Sequence, residues 1–203
     1  MGPDQTVVYV LDDDARVRVA LTALLSSMGQ KVIAFATAAE YLEFAKPDVP
    51  GCLVLDLDMP GMTGLELQHE LAGSEGPPII FLTGRGDVPS TVKAMKAGAV
   101  EFLSKPFEAD DLIRAINAAI AADQLARPRY AELREIRKRY ATLTPRERDV
   151  LPFVVSGLLN KQTAGELGTS EITIRIHRGQ IMRKMAADSL ADLVRIAAKL
   201  GIP

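Results

Sequence analysis

The sequence predicts a doubly wound α/β domain built on a five-stranded parallel sheet, followed by a smaller all-α domain. Three observations predict it. Short apolar runs alternate five times with helically spaced segments between residues 6 and 122. Residues 144–203 carry helix signals only. Charge divides in step: residues 1–123 hold 18 Asp/Glu and 9 Lys/Arg, whereas residues 124–203 hold 8 and 15.

TVVYVL (6–11) reads as the first strand. Val17, Leu21, Leu24, Leu25 and Met28 recur at helical spacing over 15–28, and Gly29 supplies a stop. KVIAF (31–35) is the second strand, and 38–45 a short helix. CLVLD (52–56) is the third strand, followed by a helix over 63–72 with Leu65, Leu67 and Leu71. PIIFLT (78–83) is the fourth, with a helix over 89–97 that ends at Gly98. VEFLS (100–104) is the fifth, before a helix over 108–122 with Leu112, Ile116 and Ile120. Alternating βα units give parallel strands with helices on both faces, and such strands are buried continuous apolar runs. Ligands then sit at the strands' carboxyl ends.

Residues 121–143 are charged and helix-prone, and Pro128 predicts that the helix breaks or restarts there. The expected organisation is a first domain over 1–123, a helical linker over 124–143 and a second domain over 144–203. In TPRE, Thr144 caps a helix that has Pro145 at its first position and Glu147 at its third. Asn160 and Ser170 are expected to cap two more helices; Gly157, Gly168 and Gly201 mark ends. On the helix from Ser170 to about residue 185, Ile174, Ile181 and Met185 share an inward face. Ile172, Arg175, Ile176 and Gly179 lie opposite. The last helix, 189–200, has an apolar side of Leu190, Leu193, Val194 and Ala197.

Composition narrows the function classes. Hydrophobic residues make up 48% and charged residues 25%, as in an ordinary globular protein. No apolar run approaches the ~18 residues of a membrane span, and the N-terminus lacks the basic segment of a secretory signal. The single cysteine, Cys52, forms no intrachain disulfide and no thiolate cluster; a buried strand residue and a cytoplasmic location are expected. The basic second domain points to nucleic acid.

Four features fall at strand carboxyl ends: Asp12–Asp14, Asp56, Thr83, and Lys105 before Pro106. The topology gathers them at one sheet edge. Clustered carboxylates repel, so they favour a counter-cation, and a hard divalent ion such as Mg²⁺ suits oxygen ligands. Metal, hydroxyl and ammonium together suit a dianionic phosphoryl group.

The motifs VLDDD, LDLDMPGMTG, FLTG and EFLSKPF, in that order, resemble the receiver domain of bacterial response regulators. The resemblance implies a flavodoxin-like sheet of order 2-1-3-4-5 and a phosphoacceptor, Asp56, served by a sensor histidine kinase. It implies Mg²⁺ (or Mn²⁺) on Asp12, Asp13, Asp56 and the backbone carbonyl of Asp58. Thr83 and Lys105 then bind phosphoryl oxygens, Lys105–Pro106 is cis, and Thr83 and Phe102 form the switch. Arg85 is expected to neutralise Asp58 partly. No turnover enzyme is implied beyond metal-dependent self-phosphorylation and slow self-dephosphorylation. Asp56-Leu57-Asp58 also resembles the DxD nucleophile of haloacid-dehalogenase-type phosphatases, but that motif belongs on a first strand.

LTPRERDVL, GLLNKQTAGELGTSEITIRIHRGQIMRKM and SLADLVRIA resemble the helix-turn-helix output domain of the LuxR/FixJ group. With GDVPSTVKAMKAGAVEFLSKPFE, the whole chain resembles FixJ-type regulators. On the second helix, Arg175 and Ile176 are expected to touch bases, with Thr173 and Gly179 on the DNA-binding surface. Lys161, Arg178, Arg183 and Lys184 are expected at phosphates. The implied partners are double-stranded DNA, a second copy after phosphorylation, and RNA polymerase, with the chain acting as an activator.

Overall fold

In the computed structural model, which describes residues 6–72, 76–84 and 88–202, five parallel strands are ordered β2-β1-β3-β4-β5. They are β1 (Val7–Leu11), β2 (Lys31–Phe35), β3 (Gly51–Asp56), β4 (Ile79–Thr83) and β5 (Glu101–Ser104). The intervening helices are α1 (Ala15–Ser27), α2 (Ala38–Glu43), α3 (Gly64–Leu71) and α4 (Val88–Lys96). A longer helix, α5 (Ala109–Ala141), follows β5. This is the expected doubly wound sheet.

Strand alternation sorts the core into two layers. Tyr9, Leu11, Leu53, Leu55 and Phe81 point to one face, with Tyr41 of α2, Leu67 of α3 and Ala94 of α4. Val8, Val10, Cys52, Val54 and Ile80 point to the other, with Leu21 and Leu25 of α1 and Leu112 and Ile116 of α5. Each fully buried leucine contributes about 2 kcal/mol of transfer free energy. Burial along the whole strand holds for β1, β3 and β4. The edge strands β2 and β5 expose Lys31, Ala34, Glu101 and Ser104. Burial also pushes the Cys52 thiol up to about 12, which leaves it inert.

Pro128 does not interrupt the helix: α5 is helical from Ala109 to Ala141. One missing N–H removes one ladder bond, and the flanking Ala, Leu, Arg and Glu are strong helix formers. The chain divides into two compact units between Arg127 and Pro128. In the first, buried Asp123 accepts a hydrogen bond from the Gly51 amide at 3.0 Å. Arg127 Nη1 donates to the Val49 carbonyl at 3.0 Å and lies 3.5 Å from Asp123. Residues 124–127 are thereby tied to the sheet.

In the second unit, Ile136, Tyr140 and Leu143 pack into the core with Val150, Leu151, Ile174 and Ile181. The segment expected as linker therefore supplies core residues. Its other helices are α6 (Pro145–Val155), α7 (Asn160–Glu166), α8 (Glu171–Met185) and α9 (Leu190–Lys199). Thr144 and Glu147 form the expected capping box on α6. Ser170 caps α8, but Asn160 does not cap α7. There the N-cap is Leu159, whose amide donates to Gln162 Oε1 at 2.8 Å. Gly168 turns the chain between α7 and α8 at φ +62°, a conformation that favours glycine.

Candidate phosphoacceptor pocket and nucleic-acid interface

The strand ends do converge. Register places Leu11 beside Leu55 and Asp56 beside Leu82, so the residues just past β1 and at the end of β3 share one edge. Lys105 Nζ donates to Asp12 Oδ2 at 2.8 Å and to Asp56 Oδ1 at 3.0 Å. Asp12 Oδ1 accepts from the Asp14 amide at 2.9 Å, while Asp14 caps α1. Asp12 and Asp56 are buried, and Asp13 is exposed.

Charge in this pocket is balanced rather than cancelled. Burial pushes the Asp56 carboxyl above its usual value; hydrogen bonding and charge from Lys105 oppose the rise, and Asp12 and Asp13 add to it. Burial pulls the Lys105 ammonium down, but its bonds to Asp12 and Asp56 outweigh that and hold it above the ordinary lysine value. One carboxylate oxygen each from Asp12, Asp13 and Asp56 lies within 4.8 Å of the others. That set of hard oxygens, on a mostly buried floor with an open side at Asp13, fits a divalent cation.

Two residues that the sequence reading missed shape the pocket. Arg18 Nη1 donates to the carbonyls of Asp12 at 2.7 Å and Asp13 at 2.9 Å, clamping the acidic loop from one turn into α1. Gly64 opens α3 against β3: a Cβ there would stand 2.5 Å from the Asp56 carbonyl oxygen. An arginine following three aspartates suggests an ordinary surface pair, and a glycine after MPGMT suggests a turn, so neither announces itself.

Thr83 is buried at the end of β4, and its carbonyl accepts from the Lys105 amide at 2.6 Å. The Lys105–Pro106 peptide is cis. Phe102 pairs in register with Phe81, two residues before Thr83, which puts Thr83 and Phe102 on one sheet face. The Phe81 and Phe102 rings lie 6.2 Å apart, and Phe102 is half-buried. Asp58 is exposed in the loop beyond β3, and Arg85 lies outside the described residues.

In the second unit, Ile174, Ile181 and Met185 of α8 are buried as expected. The opposite face shows Ile172, Arg175, Ile176 and Gly179 to solvent. Thr173 is half-buried, and its side chain meets the Ser170 hydroxyl at 2.8 Å. Lys161 and Arg183 are exposed. Arg178 Nη1 lies 3.4 Å from Asn160 Oδ1. Lys184 is employed inside the unit: its ammonium donates to Glu147 Oε2 at 2.6 Å and to the Thr142 carbonyl at 3.1 Å. Buried Glu147 needs a cation, and Lys184 supplies it. On α9, Leu193 and Ala197 are buried in the unit's own core, so the apolar side expected to form a dimer contact is reduced chiefly to Val194.

No helix among the described residues is long and apolar enough to cross a membrane. Residues 8–117 match the response regulator receiver domain, and 141–197 match the bacterial regulatory proteins of the luxR family. Nodulation protein W of Bradyrhizobium diazoefficiens is 48% identical over 98% of this chain and 88% of its own length. The transcriptional regulatory protein FixJ of the same species is 44% identical over 96% of each chain. The solved response regulator StyR is similar at TM-score 0.61 and 46% identity, covering 96% of this chain and 99% of its own. Full-length FixJ from B. japonicum is similar at TM-score 0.53 and 42% identity, covering 97% and 98%. The acidic pocket and the exposed face of helix α8 therefore sit in a bacterial two-component response regulator of the FixJ-like family, a receiver domain joined to a LuxR-type helix-turn-helix domain that regulates transcription.

Proposed function

We propose that Asp56 accepts a phosphoryl group from a sensor histidine kinase, and that the modified chain pairs with a second copy and binds operator DNA as an activator. The observation that carries this reading is the buried Asp56 carboxylate, paired with Lys105 and within reach of Asp12 and Asp13. An Asp56 oxygen attacks the phosphorus of a kinase phosphohistidine. The new O–P bond gives an acyl phosphate; the N–P bond breaks, and its electron pair stays on the imidazole nitrogen, which takes up a proton. Lys105 exchanges a carboxylate for a phosphoryl oxygen, and the Thr83 hydroxyl turns to another. Asp12, Asp13, Asp56 and the Asp58 carbonyl would hold Mg²⁺ or Mn²⁺, which supplies positive charge against the phosphoryl oxygens when bound.

Movement of Thr83 leaves space that Phe102 fills, and this alters the α4–β5 face. That face presents Val88, Val92 and Met95 to solvent at helical spacing, an apolar stripe suited to a second copy. Kinase docking fits the groove along α1 formed by Ala15, Val19, Thr22 and Ala23, which begins one residue past Asp14. RNA polymerase is the partner through which an activator works. Small phosphodonors should also charge Asp56, and the acyl phosphate should hydrolyse slowly without turnover of other substrates.

Incubation with a small acyl phosphate and Mg²⁺, read by intact mass, tests the reading. One phosphoryl group should be gained, and Asp56→Asn should gain none. An equal gain in the variant would overturn the assignment of Asp56.

A further inference from the structure

Helix α8 carries six isoleucine or methionine side chains whose placement is unequal, with Met182 partly buried against the core. Ile174, Ile181 and Met185 are at most 1% exposed and complete its packing. Ile172 is 72% exposed and Ile176 58%. The fold does not ask for either: a β-branched side chain on a solvent face loses helix propensity and exposes apolar surface. They stand four residues apart, so they share one face and are separated by about 6 Å along the axis. Exposed Arg175 lies between them, and Gly179 continues the stripe one turn later. A Cβ on Gly179 would meet nothing within 4 Å, so no packing inside the unit explains the glycine.

The cations around this stripe decide its occupant. Arg175 and Arg183, on the same helix, are exposed, which favours a polyanion over an apolar protein surface. In the major groove, the apolar group on a base edge is the thymine 5-methyl. We infer that Ile172 and Ile176 read thymine methyl groups, so that operator half-sites carry thymines about two base steps apart (~3.4 Å per step). Arg175, between them, faces an acceptor-rich base such as guanine. Ile172 thereby becomes a specificity residue beside Arg175 and Ile176. The inference rests on the DNA-binding reading and adds the chemistry of the bases.

The test uses the full-length protein with Mg²⁺ and beryllium fluoride as phosphoryl mimic. Duplexes retained from a random pool are copied once with thymine and once with uracil, which lacks the methyl. Loss of a buried methyl should weaken binding about fourfold each, and on the order of tenfold for two contacts. In the double variant Ile172→Ser and Ile176→Ser, thymine and uracil copies should bind alike. Both positions are exposed, so the variant should keep its fold, checked by helical circular dichroism. Equal wild-type affinity for both copies, or a double variant that still discriminates, would overturn the inference while leaving DNA binding intact. Failure to retain any duplex would sink DNA recognition itself, and this inference with it.

Discussion

Lys105 explains how Asp56 tolerates its place. A carboxylate at the end of a buried strand is costly, and an ammonium 3.0 Å away, shared with Asp12, offsets much of that cost. In the proposed phosphoryl transfer to Asp56, the same ammonium would follow the charge. Phe102 is the residue through which that event should reach the surface, because it shares a sheet face with Thr83 and packs on Phe81. Phe102→Ala should leave phosphoryl uptake by Asp56 intact and weaken mimic-induced dimerisation several-fold, read by mass and by sedimentation. Both properties unchanged would remove Phe102 from the switch. Gly64→Ala should destabilise the first unit by about 2 kcal/mol or more, because the new methyl meets backbone rather than a movable side chain; urea denaturation measures it. At this scale the sequence makes Asp12, Asp56 and Lys105 legible, since each ends a strand or follows one directly. Arg18 and Gly64 were not legible: their roles depend on backbone carbonyls brought close only by folding.

Among elements, α1 has two duties. Its inner side packs Leu21 and Leu25 on the sheet, and its outer side exposes Val19 in a groove shared with Ala15 and Arg18. Val19→Glu should slow phosphotransfer from a kinase at least tenfold and leave charging by a small phosphodonor unchanged; phosphotransfer kinetics with both donors check it. In the second unit, α6 and α8 are joined through Glu147. Burial raises the Glu147 carboxyl, but Lys184 and the Thr144 cap outweigh this and hold it below the ordinary glutamate value. A lowered folded pKa means that the unfolded chain binds the proton more readily. The contribution is therefore complete above the ordinary glutamate range and is lost as pH falls through the lowered value. Glu147→Gln should flatten the acid limb of the second unit's stability and cost about 1–2 kcal/mol at neutral pH, measured by urea midpoints across that range. Helix α5 departs from the expected break at Pro128. Pro128 argues for a break, yet Ile136, Tyr140 and Leu143 have a core to join. Tertiary packing rewards continued helix more than one missing N–H penalises it.

Across the whole molecule, the sequence separates an acidic half from a basic half, and each half has its own core. The charges match the proposed tasks, since the acidic unit gathers carboxylates that would hold a cation and the basic unit carries the charge that a polyanion would meet. That division was legible because composition changes along the chain. The boundary at Arg127 was not, because it depends on Arg127 reaching Val49 and Asp123. The most direct measurement is the affinity of the full-length protein for a selected duplex, with and without beryllium fluoride and Mg²⁺, for wild type and Asp56→Asn. Control through Asp56 predicts at least tenfold tighter binding and a shift from monomer to dimer in the wild type, and neither in the variant. Equal wild-type affinity in both conditions, or the same gain in Asp56→Asn, would contradict it.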